Sequence, residues 1–382
     1  MMTATRRLTL RELNRATLAR QHLLERSTLE PLAMIEHLVG LQAQAPNPPF
    51  IGLWTRSAAL DFDAVSQLVV DRRAVRILTM RGTVHLLSAR DALGLQPHCT
   101  PVFDREFKSV RGKALAAHGI DRELVRDRAE ALLREQPYSA RELSEVIMGE
   151  HPDWPEAVRE HVAAVPRVSL PLVQIPPRGL WGESGVPTYQ LIDDWLGEEV
   201  SPMPMEDVVR RYLGAFGPAT VRDLQQWCGL TRLKAVVEGI ADELEVFEGP
   251  GGERLYDLPD APRPDGDAPA PVRILPEFDN LLVSHADRTR MISDERRKAM
   301  STLNGMVPGT VLVDGVVAAL AKTQKVKGVA RLRIMPLERL TKATRGEIEI
   351  EGRLMLEAMG GPYADAEIGF EDPGERWRPH AD

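Results

Sequence analysis

The chain has 382 residues, 43% of them apolar, with 48 basic against 56 acidic side chains and a net charge of −8. That length supports two or more folded domains, and the acidic balance excludes a protein that coats nucleic acid through a broadly basic surface. No apolar run approaches 18 residues, Met1 to Arg7 lacks the apolar stretch of a secretory signal, and the two cysteines, Cys99 and Cys228, lie far apart without ligand-spaced partners; a cytoplasmic chain with no membrane span, no disulfide and no metal site is expected.

In chain order, helices are predicted near 8–25 and 28–40. The apolar face Ala33, Met34, Leu38, Val39 and Leu41 then runs into Gln42 and Gln44, just before the broken turn of Pro46, Pro48 and Pro49. Two neutral amides at the end of a buried face need partners or a purpose. Either they tie down the turn or they carry chemistry. A third helix near 62–72 precedes a hairpin, Val75–Met80 and Thr83–Leu87, turning at Arg81-Gly82. Arg81, Thr83 and His85 alternate on one strand face, which can either meet a DNA backbone or brace the Gln segment. Ser88, with Asp91 three residues on, signals the next helix start.

A second helix–helix–helix–hairpin unit follows. Its helix at 123–135 leads to a capping box at Ser139 and Glu142, a helix near 155–166, a strand at 170–175, the turn Pro176-Pro177-Arg178-Gly179-Leu180-Trp181-Gly182 and a return strand at 188–191. Arg178 and Trp181 in that turn are placed to touch DNA or to pack a wing. The third unit has helices at 205–215, 219–227 and 231–241, with Gly229 ending one helix and Thr231 capping the next, then a wing at Gly249-Pro250-Gly251-Gly252.

Residues 259–271, rich in proline and aspartate, are predicted to be an exposed linker. Beyond it, strands at 311–313, 316–323 and 329–335 form a meander, followed by a helix near 336–358. A basic cluster, Lys322, Lys325, Lys327, Arg331, Arg333, Arg339, Lys342 and Arg345, falls largely on this strand pair and its tip. Such a tip can grip a phosphate backbone, and a charged edge can equally protect a sheet from aggregation. A second cluster runs through Arg6, Arg7, Arg11, Arg15 and Arg20.

Four segments in order, Leu41-Gln42-Ala43-Gln44, Met80-Arg81-Gly82-Thr83-Val84-His85-Leu86, Pro176 to Gly182 and Leu275-Pro276-Glu277-Phe278-Asp279-Asn280-Leu281-Leu282, resemble the winged-helix DNA glycosylases of the AlkZ and YcaQ group. The resemblance covers nearly the whole chain, and the Gln-x-Gln triplet points to the AlkZ-like branch. It implies an α+β fold of three tandem winged-helix units in a C-shaped arrangement (1–118, 119–200 and 201–258), the 259–271 linker, and a C-terminal β-rich domain with a basic hairpin (272–382).

The implied activity is monofunctional hydrolysis of the N-glycosidic bond of N7-alkylated purines, including bulky adducts or interstrand cross-links. Gln42 and Gln44 would be catalytic, with Arg81, Thr83, His85, Arg178, Lys325, Lys327 and Arg331 on DNA, and no metal or other cofactor. The implied setting is a monomer on double-stranded DNA at the nucleoid, in general repair or in self-protection of an antibiotic producer. One departure stands out: Ala321 occupies a position, six residues past the Asp314-Gly315 turn, where the family often has tryptophan. The competing reading of the same modules is DNA binding without chemistry, by a regulator or a lesion binder.

Overall fold

The computed structural model describes residues 5–300, 307–326, 329–360 and 367–371. The first segment holds α1 (Leu10–Arg20), α2 (Pro31–His37), β1 (Leu41–Gln42), α3 (Pro48–Trp54), α4 (Phe62–Val70), β2 (Ala74–Leu78) and β3 (Val84–Ser88). Next come α5 (Ala89–Ser109), α6 (Arg111–Ala117), α7 (Arg122–Glu135), β4 (Tyr138–Ser139), α8 (Ala140–Glu150), α9 (Arg159–Ser169), β5 (Leu172–Gln174) and β6 (Thr188–Leu191). α10 (Ile192–Leu196), α11 (Met205–Phe216), α12 (Val221–Cys228) and α13 (Lys234–Gly239) lead to the hairpin β7 (Glu245–Glu248) and β8 (Arg254–Asp257). The C-terminal part contains β9 (Arg273–Leu275), α14 (Asp294–Met300), β10 (Gly309–Val313), β11 (Val316–Val326), β12 (Val329–Pro336), α15 (Lys342–Met359) and β13 (Glu367–Phe370). The fold mixes helix and sheet, as the sequence suggested.

Helix starts follow local chemistry. Capping boxes close at Thr9 with Glu12, Ser139 with Glu142 and Thr220 with Asp223, and Ser88 accepts from the Asp91 amide. Gly229 ends α12 in the left-handed conformation. The next helix starts later than expected. Thr231 does not cap it; the Gln225 Oε1 atom takes the Leu233 amide instead, and α13 begins at Lys234.

β1 to β6 form one antiparallel sheet, ordered β1-β3-β2-β5-β6-β4, with β1–β3 joined to β4–β6 where Arg76 of β2 pairs with Gln174 of β5. A second sheet, β13-β12-β11-β10-β9, forms the C-terminal part, antiparallel except for β13. Its core is not its own. Val311, Ala318, Ile334 and Met355 belong to one apolar cluster with Met34, Phe50 and Leu53 from α2 and α3. The predicted linker is also tethered: Arg11 and Arg15 donate to the Gly266 and Ala268 carbonyls, and Arg20 reaches Pro262.

Candidate active site

The glutamines do not end a helix. α2 stops at His37, Val39 and Gly40 take positive φ (54° and 86°), and the chain re-enters as β1, pairing Leu41 with Leu86 and Gln42 with His85. A side chain at Gly40 would collide with Leu87, so this reversal requires glycine. The extended path continues through Ala43, whose amide bonds the Val84 carbonyl. Ala43 is fully buried, and the chain bends at Gln44. The prolines beyond them open α3 rather than a simple turn, because proline at a first helical position gives up no intrahelical bond.

The two amides differ in setting. Gln42 is 9% exposed, whereas Gln44 lies open to solvent. Gln42 Oε1 accepts from Arg81 Nη2 at 2.9 Å, and Gln44 Oε1 accepts from the Val84 amide at 3.3 Å. Among the described residues neither amide nitrogen has a protein partner, so both NH2 groups stay available as donors.

Arg81 joins four segments. It sits in a single 3-10 turn, Met80–Gly82, with φ of 58°, and not on a strand face as expected. The guanidinium therefore turns inward, donating to the Trp227 carbonyl at 2.6 Å, to Gln42 and to Asn280 Oδ1 at 3.1 Å. Gly229 allows this approach, since a Cβ there would come within 3.2 Å of the Arg81 Cα. Burial, reinforced by nearby Arg288, pulls the Arg81 pKa down to about 10, which leaves it cationic at neutral pH. Asn280 in turn donates to the Gly40 carbonyl at 3.1 Å, closing a loop around the reversal.

The neighbouring Asp279 orders more than the C-terminal part. Its carboxylate makes two 2.8 Å bonds to Arg56, both groups nearly fully buried, and Arg56 also holds the Gly52 carbonyl and Gln21. The fourth motif is thereby clamped onto α3, beside the glutamines. Sequence reasoning missed Arg56, Arg288 and Glu277. Glu277 did lie within a quoted motif, and its place between Pro276 and Phe278 was the available signal.

The remaining predicted DNA residues are scattered. His85 is fully buried, so it braces β1 from within and does not reach the surface. Its Nδ1 faces the Thr83 carbonyl at 3.0 Å, and its Nε2 lies 3.5 Å from Arg81. Thr83 is half-buried and donates to the Met80 carbonyl. Arg178 donates to the Gly185 carbonyl within its own loop, while Trp181 packs on Phe50 and Phe62. Arg331 is exposed on β12, paired with Glu367 at 2.9 Å. Lys325 lies on β11, and Lys327 falls outside the described residues. The N-terminal arginines serve the fold: Arg20 pairs with Asp257 in the interior, and Arg11 and Arg15 hold Asp314.

Two buried histidines predict an acid response. Burial pushes His85 and His285 down to about 3 from an ordinary 6.5. Between those values the unfolded chain binds more protons than the native one, so stability is full above about 6.5 and falls as pH drops towards about 3, by on the order of 1 kcal/mol per unit at most for each group. The urea midpoint at pH 5 is expected below that at pH 7.5; equal midpoints would contradict the assignment.

No helix is long and apolar enough to cross a membrane, and no group of three or more histidine, cysteine or acidic side chains is placed to hold a metal, both among the described residues. The profile of the family described as "DNA glycosylase AlkZ-like" matches residues 35–358, a span that includes Gln42, Gln44, Arg81, Asp279 and Asn280. The chain belongs to that family of DNA glycosylases, hydrolases of N-glycosyl bonds. A relative from Streptomyces sahachiroi, "Interstrand DNA cross-link repair glycosylase", is 25% identical, across 78% of this chain and 85% of its own length. The solved structure of the Streptomyces sahachiroi DNA glycosylase AlkZ superposes with a TM-score of 0.73 at 21% identity, covering 95% of this chain and all of the other.

Proposed function

We propose that this DNA glycosylase hydrolyses the N-glycosidic bond of N7-alkylated purines in double-stranded DNA, acting as a monomer, with Gln42 and Gln44 holding the attacking water. The observation that carries the reading is the pair itself: two amides two residues apart at the end of β1, one fixed by Arg81 and one open to solvent, each with a free NH2 group. Alkylation at N7 already weakens the bond to the sugar, so oriented polar groups supply much of what the reaction needs. Lysine is scarce in this chain and none lies near the triplet in sequence, which favours base release without a Schiff base or strand nicking.

In this reading three tandem winged helices form a C-shaped cradle for DNA. Arg178, Lys325, Lys327 and Arg331 would meet the DNA backbone, and the β11–β12 hairpin would probe the duplex. Arg331 would exchange Glu367 for phosphate. Arg288, half-buried beside Arg81 and with a guanidinium that makes no hydrogen bond among the described residues, is a further candidate for that contact.

The lesion class is read from a cavity of about 280 Å³ next to the triplet, lined by Ala45, Ile51, Ala321, Leu332, Met355 and Met359. One water needs only ~10–15 Å³. Such a space suits a bulky apolar substituent, and it extends to this chain the cross-link repair in the relative's name. Ala321 keeps it open. Ala321→Trp is therefore expected to slow release of a bulky arylalkyl guanine by roughly tenfold or more while leaving N7-methylguanine release unchanged, the ~1–3 kcal/mol scale of filling or emptying an apolar pocket.

The deciding experiment incubates the purified protein with duplexes carrying N7-methylguanine or a bulky N7 adduct and scores abasic sites. Base release supports the hydrolase reading. Tight lesion binding with no release from either duplex supports the silent binder.

A further inference from the structure

The reaction proposed above requires a proton acceptor, and the glutamines do not provide one. An amide orients water but does not take up its proton, and here each amide oxygen already accepts a hydrogen bond, Gln42 from Arg81 and Gln44 from Val84. Nor does an amide offset the positive charge that grows on the sugar as the base departs.

One carboxyl lies in the right place. Glu277 lines a narrow cleft together with Gln42, Pro48 and Asn280, and it also lines the larger cavity with Ala45, Pro46 and Asn47, the residues that follow Gln44. It stands against the catalytic loop where the two spaces meet. Its backbone is fixed on both sides: Leu275 pairs with Thr310 in the C-terminal sheet, and Asp279 is clamped by Arg56. Yet among the described residues the Glu277 carboxyl makes no hydrogen bond or ion pair, although it is half-buried. A half-buried carboxyl with no hydrogen-bond partner in the protein is available to a water or substrate in the cleft it lines. Its charged surroundings are Lys322 on β11 and the mutually paired Arg56 and Asp279. Burial raises its proton affinity against the pull of Lys322, as suits a group that accepts a proton.

We infer that Glu277 is a catalytic residue of the glycosylase, the carboxylate that faces the sugar cation and takes the proton of the water held by Gln42 and Gln44. This rests on the N7-alkylpurine reading. The C1′–N9 bond breaks, and its electron pair neutralises the alkylated imidazolium, so the base leaves uncharged. The water oxygen bonds to C1′, one water proton passes to Glu277 and then to solvent, and the abasic sugar remains.

The test measures single-turnover release of N7-methylguanine by the wild type, Glu277→Gln and Glu277→Asp. In parallel it measures affinity for two inert duplexes, one with a neutral tetrahydrofuran abasic site and one with a cationic pyrrolidine at the same position. Glu277→Gln is expected to slow release by about a hundredfold or more, and Glu277→Asp to recover part of it. Wild type should prefer the pyrrolidine duplex; Glu277→Gln should lose that preference while binding the tetrahydrofuran duplex as before. A merely structural role would weaken both duplexes alike. Wild-type-like release by Glu277→Gln, or a retained preference for the cation, overturns the inference. If the wild type itself releases no base, the N7-alkylpurine reading falls and takes this inference with it, whereas an active wild type beside an equally active Glu277→Gln defeats the role of Glu277 alone.

Discussion

Gln44→Ala is expected to lower single-turnover base release by ~10² to 10³, as when other preorganised polar groups are removed, with no measurable change in thermal stability. Gln44 is exposed and its one protein bond, to the Val84 amide at 3.3 Å, is long. Removing it therefore leaves the fold intact, and any loss of rate is chemical. Gln42→Ala should lose at least as much rate, but with a structural cost. It strips the partly buried Arg81 of an acceptor, worth about 1–3 kcal/mol for a hydrogen-bonded charge. Gln44→Asp removes the NH2 donor and leaves only carboxylate acceptors on a shorter side chain, so activity retained in this variant would show that the water is held through an acceptor. Rapid-quench kinetics beside melting curves separate these cases. A Gln44→Ala variant as active as wild type would remove the triplet from the mechanism.

The largest stability effect is expected at Asp279. Asp279→Ala leaves Arg56 as a buried guanidinium whose two 2.8 Å bonds have vanished, and breaking a buried pair from one side typically costs ~3–5 kcal/mol. Arg56→Met combined with Asp279→Leu should recover most of that loss, because no uncompensated charge remains. Denaturant unfolding of the two singles and the double measures the coupling. If either single variant unfolds like wild type, the clamp is not what holds the motif. The same cycle has a catalytic readout, since Asn280 follows Asp279 and touches both Arg81 and the Gly40 carbonyl.

Much of this architecture was legible because short-range chemistry writes it. Ser139 with Glu142, Ser88 with Asp91 and Gly229 each marked a helix end that the fold keeps. The hairpin around Arg81-Gly82 and the strand at Val316 also held. The missing parts depend on distant residues. Nothing local reveals that Arg76 pairs with Gln174 to join β1–β3 and β4–β6 in one sheet, or that Met355 shares a core with Phe50. The inward turn of Arg81 needs a positive φ that sequence does not advertise for arginine, so its expected strand face failed. Thr231 looked like a cap, but Gln225 reached the same job from the preceding helix. For the site, the glutamines stood out as polar residues in an apolar setting. The partners that hold them, Arg81, Asn280 and the Asp279–Arg56 clamp, converge from sequence separations of up to 240 residues.

That separation has a consequence for synthesis. Both glutamines leave the ribosome early, yet Asp279 and Asn280 follow more than two hundred residues later, and β10 to α15 later still. Until then Arg56 lacks its carboxylate, the Gly40 reversal lacks its donor, and α3 lacks the apolar surface that covers it. A nascent or truncated chain therefore carries Gln42 and Gln44 without the contacts that hold them in shape. Those contacts arrive only with the last third of translation, so prematurely terminated copies are expected to release no base.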